Sequence, residues 1–91
     1  MMRYYLTEAE MNALERLAEA ALTAGNQSEA KKYIREMEIA VSDVMGPSRN
    51  MLREMICAVE AARGRASYPT SGIDVARQLI LKAQMFCVKK E

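Results

Sequence analysis

Four glycines punctuate this chain, and each falls where a helix has to stop or start: Gly25 before Asn26, Gly46 before Pro47, then Gly64 and Gly72. Glycine most easily takes the left-handed conformation that closes a helix. Proline is tolerated at a helix's first position, where its missing N–H would have had no partner. Between these breaks the large apolar residues recur every three or four positions, the spacing of an amphipathic helix, and no strand-like alternation competes. The spacing predicts helices at about 7–24, 28–45, 48–63 and 72–89. We therefore expect an all-α fold, a small four-helix bundle built from helical hairpins, with residues 1–91 forming a single domain.

Each segment can be read in more detail. Thr7-Glu8-Ala9-Glu10 fits a capping box, in which the Thr hydroxyl and the Glu carboxylate each satisfy an unpaired backbone N–H. Met11, Leu14, Leu17, Ala18, Ala21 and Leu22 then form one face, opposite Glu8, Asn12, Glu15, Arg16 and Glu19. The second stripe is Ala30, Tyr33, Ile34, Met37, Val41, Val44 and Met45, and the third is Met51, Leu52, Met55, Ile56, Val59 and Ala62. The last segment opens at Ser71-Gly72-Ile73-Asp74, a capping-box-like start. Its apolar residues, among them Ile73, Val75, Leu79, Ile80, Leu81, Met85, Phe86 and Val88, cover more than one face. Such a helix is either central in the bundle or covered by a second copy.

Composition sharpens that choice. The chain is 51% apolar, but fourteen of those residues are alanine, which brings helices close while burying little area. A monomer would have a thin core, and self-association relieves that. The two cysteines, Cys57 and Cys87, lie in apolar helical stretches and are expected to be buried, reduced thiols. Met1 to Tyr5 runs straight into a capped helix without the apolar stretch of a signal peptide, and no apolar run approaches the ~18 residues of a membrane span. A cytoplasmic protein is the expectation.

Catalysis has little to work with. With no histidine, Ser–His and Cys–His nucleophiles are excluded, as are histidine-containing metal sites. Phosphate-cradling glycine patterns are absent, and carboxylates two apart, such as Glu36 and Glu38, diverge on a helix. No catalytic residue, cofactor or metal ligand is expected.

Charge is nearly balanced, thirteen basic residues against twelve acidic, but residues 47–91 hold eight of the former and four of the latter. That half keeps an anionic partner open. The stretch from Arg63 to Gly72 brings arginines to the start of a helix, where unpaired N–H groups and partial positive charge suit an anion. Arg63, Arg65, Ser71 and Gly72 are the candidate anion site. A helix-turn-helix reading would use Lys31, Lys32 and Arg35 against phosphate, but Glu29, Glu36, Glu38 and Asp43 share that segment and oppose it. Residues 17–41, with Leu17-Ala18, Gly25-Asn26, Glu29-Ala30, Tyr33 and Ala40, resemble a single tetratricopeptide-type unit. The later sequence does not repeat it, and such units need about three copies for stability. The resemblance implies a lean towards protein–protein contact and carries no site residue.

The functional expectation is a non-catalytic interaction protein, a regulator or inhibitor that binds another protein, and a homodimer. Small helical proteins of this kind are common among accessory proteins of bacteria and their phages, so its sharpest form is a phage-type inhibitor of a host defence complex. The alternative is a nucleotide or nucleic-acid binder that uses the basic C-terminal half. Methionine's flexible side chain suits an adaptable surface. The candidate interface is Leu81, Met85 and Val88 with Met51 and Met55.

Overall fold

A computed structural model describes residues 2–64 and 71–89. It contains four helices, α1 Glu8–Leu22, α2 Gln27–Ala40, α3 Gly46–Gly64 and α4 Ser71–Phe86. Among the described residues there is no strand, only two isolated bridges. Helix α3 packs against all three others, while α2 and α4 lie on either side of it without touching each other. The core is filled by Met11, Leu14, Met37, Leu52, Met55 and Val59, all at most 1% exposed. The helices pack as a small bundle, as the periodicity predicts.

Helix α1 begins with the capping box: Glu10 N–H donates to Thr7 Oγ1 at 3.2 Å, and Thr7 N–H donates to Glu10 Oε1 at 3.0 Å. It ends earlier than Gly25. Both the N–H and the hydroxyl of Thr23 donate to the Glu19 carbonyl, at 2.9 and 2.7 Å, and close the last turn without a left-handed residue. Asn26 then caps α2, its side chain accepting from Glu29 N–H at 2.9 Å. Gly46 is the one described residue with a positive φ, at 72°. The positive φ favours glycine there, and a Cβ would lie 3.1 Å from Cδ1 of Tyr4, close enough that the exposed tyrosine ring would have to move slightly.

Two helix ends differ from expectation for one reason. Helix α2 stops at Ala40, not near 45, and α4 stops at Phe86, not near 89. Residues 3–6, with a bend at Tyr4, run between the chain that follows each of these ends. Arg3 N–H donates to the Asp43 carbonyl at 3.0 Å, and the Arg3 carbonyl accepts from Met45 N–H at 2.7 Å. Leu6 N–H donates to the Cys87 carbonyl at 2.8 Å, and its carbonyl accepts from Lys89 N–H at 3.0 Å. These are two parallel bridges, Arg3 with Val44 and Leu6 with Val88. The backbone groups of 43–45 and 87–89 bond to the N-terminal segment, which a continued helix would not allow. Val41 and Val44 are still buried, so the apolar stripe persists beyond the helix that was read from it.

Leu6 is itself only 2% exposed. Leu6 precedes the N-cap and Met11 is the fourth helical residue, the two positions of a hydrophobic staple, and both belong to the core. Arg3 clasps the segment from outside through ion pairs with Glu10 and with Asp43, the latter at 3.0 Å from its Nε.

Candidate interaction surface

Helix α4 has two unlike faces. Ala76, Ile80, Ala83 and Cys87, spaced four, three and four apart, point inward and are at most 3% exposed. The two alanines let α4 approach its neighbours closely. On the opposite side Leu81 and Met85, one turn apart, are 59% and 64% exposed. Val75 and Phe86 flank them and are also more than half exposed. Rotation of the helix is fixed by two polar contacts to α1. Arg77 makes a paired contact with Glu19, Nε to Oε1 at 3.2 Å and a terminal nitrogen to Oε2 at 3.3 Å. Gln84, seven residues on, donates to Glu15, four residues back on α1. These contacts pair α4 with α1 in antiparallel fashion.

The five residues expected at an interface do not share one surface. Leu81 and Met85 lie on the outer face of α4. Val88 is half-buried and tied down by the bridge to Leu6. Met51 is half-buried against the core. Met55 is a correction: it is 0% exposed, because it shares the inward stripe of α3 with Leu52, Ile56 and Val59. The sequence reading missed the exposed Ile39 of α2, at 66%, and the exposed Tyr4 and Tyr5.

The four anion-site residues fare differently. Arg65 and the Ser71 side chain lie outside the described residues, and Gly72 is half-buried in the first turn of α4. Arg63 donates to the carbonyl of Ala24 at 2.6 Å. Its guanidinium thus ties the end of α3 to the turn between α1 and α2, where helical carbonyls lack partners.

The cysteines also divide. Cys87 is buried, its Sγ is 3.8 Å from the Ser48 carbonyl, and burial pushes its thiol pKa up. Cys57 is free and exposed, against expectation. It sits one position past Ile56, which rotates it about 100° off the buried stripe of α3. Among the described residues no group of three His, Cys, Asp or Glu could hold a metal ion. No helix among them is long and apolar enough to cross a membrane. In comparisons with protein-family models, with curated proteins and with solved structures, the chain has no match.

Proposed function

We propose that this is a non-catalytic interaction protein, a regulator or inhibitor that binds another protein and associates with a second copy of itself through the outer face of α4. One observation carries the reading. Val75, Leu81, Met85 and Phe86 expose half or more of their surface on a helix whose opposite face fills the core. Covering a large apolar side chain fully is worth about 1.5–3 kcal/mol. Leu81 and Met85, one turn apart, form a local apolar pair, with the exposed Gln78 and Lys82 between them and Val75 and Phe86. Grouped exposed apolar side chains mark an interaction site. Exposed Lys82 lies between Leu81 and Met85, so a two-fold axis has to pass nearer the two apolar side chains than the lysine to keep Lys82 from its own image. A reducing, cytoplasmic setting fits the two unpaired thiols.

Sedimentation velocity tests the self-association. Wild type at high micromolar concentration is expected to run as a dimer, and the Leu81→Lys, Met85→Lys double variant as a monomer of unchanged helicity by circular dichroism. A wild type that stays monomeric at that concentration removes the dimer from the reading.

A further inference from the structure

Helices α2 and α3 leave a groove between them whose charge comes in three blocks. One end is lined by Lys31, Arg35 and Arg63, where α2 begins and α3 ends. Glu38 and Glu60 line the middle and border both halves of the groove. Arg49 and Arg53 line the other end. The two halves have volumes of about 430 and 420 Å³, with Ile34, Val41 and Ile56 along the floor. At about 1.5 Å per helical residue, the wall from Arg49 to Arg63 is about 21 Å long, four helical turns. Among the described residues Lys31, Arg35, Glu38, Arg49, Arg53 and Glu60 have no ion-pair or hydrogen-bond partner.

We propose that this groove receives an amphipathic helical segment of another protein, with basic residues at its centre and acidic residues towards both ends. Charge complementarity selects that occupant. A second copy docking by the same face across a two-fold axis would set Glu38 and Glu60 against their own images. A nucleic-acid strand would bring phosphates onto the same two carboxylates. Ile34, Val41 and Ile56 are almost fully covered by the chain itself, so the charged walls make the contact and the ends of a helix laid along the groove meet the arginines. This extends the protein-binding reading to a second surface and does not depend on the α4 face.

The exposed thiol of Cys57 lines the same groove and reports on occupancy. Two probe peptides of about 15 residues, the length of the groove wall, share one composition and one leucine stripe. One has glutamates at its ends and lysines at its centre; the other has these exchanged. The rate at which iodoacetamide alkylates Cys57 is measured against peptide concentration, with a single-stranded thymidine oligonucleotide of similar length as a third probe. The first peptide is expected to protect Cys57 at about tenfold lower concentration than the second, a difference of about 1.4 kcal/mol. The R35E/R53E variant, with native helicity, is expected to shrink that preference, because the ends lose most of their positive charge while Glu38 and Glu60 stay at the centre. Equal protection by both peptides, protection by neither, or protection by the oligonucleotide overturns the proposal. Sedimentation of the same samples reads the α4 association separately, so failure of one reading is distinguishable from failure of the other.

Discussion

Replacing Leu6 with alanine tests whether the N-terminal segment is part of the core or merely rests on it. The side chain is 2% exposed and belongs to the same cluster as Met11, Val44 and Cys87. A buried Leu→Ala change costs about 2–5 kcal/mol, from lost transfer energy plus the cavity left behind. A ceiling operates here, because the segment is held by four backbone hydrogen bonds, at Arg3 and at Leu6, and by the Arg3 clasp. Once the loss exceeds the free energy of docking, the segment detaches and the cost stops rising. We therefore expect about 2–3 kcal/mol, towards the lower end of the core range. For a chain of this length that lowers Tm by about 10–20 °C, at 4–8 °C per kcal/mol. Tyr5→Ala, at a half-exposed neighbour, is expected to change Tm by no more than a few degrees. Thermal melts by circular dichroism give the magnitude, and hydrogen exchange at the Leu6, Met45 and Lys89 amides shows whether the segment has detached. A Leu6→Ala loss under about 1 kcal/mol, with those amides as protected as in wild type, refutes the reasoning, since such a residue could not be filling the core.

Two further predictions concern protons and thiols. The Arg3 guanidinium, helped by Thr7 N–H, holds the Glu10 carboxyl down at about 2 from its ordinary 4.5. A lowered carboxylate pKa stabilises the fold fully above 4.5, and that contribution is lost as pH falls from there towards 2. Because the Glu10 side chain is 37% exposed, screening by water reduces the effect to on the order of 1 kcal/mol. Urea midpoints at pH 7 and pH 3 are expected to differ less in Glu10→Gln than in wild type; equal differences contradict the clasp. With a thiol reagent, native protein is expected to show one fast thiol, Cys57, and one slow, Cys87, and two fast thiols in denaturant. Two slow thiols in the native state contradict the placement of Cys57.

The helices were legible because their signals are local. A capping box such as Thr7 with Glu10 acts over three residues, and the stripe Met11, Leu14, Ala18 needs only the helical period. What escaped the reading depends on partners far along the chain. Nothing near Val41–Met45 says that its N–H and carbonyl groups will bond to Arg3, and nothing near Cys87–Lys89 points to Leu6. The one local hint was the Leu6 and Met11 staple. The candidate surface was half legible for a related reason. The excess of apolar residues on α4 is a property of one helix, so Leu81 and Met85 could be picked out. Whether Met55 or Cys57 faces inward is a matter of rotation by one residue, which apolar neighbours alone do not settle. The α2–α3 groove was invisible, since its charges come from two segments that meet only after folding.

The two bridges of the N-terminal segment also constrain the order of events during synthesis. Leu6 is synthesised some eighty residues before its backbone partners Cys87 and Lys89. Contacts so distant in sequence form late, after local hairpins have closed. The Arg3–Val44 bridge has all its residues once the chain reaches 45, whereas the Leu6–Val88 bridge waits for the end of α4. Until residues 87–89 are made, the Leu6 bridge cannot form, and Leu6 is an apolar side chain without its final cover.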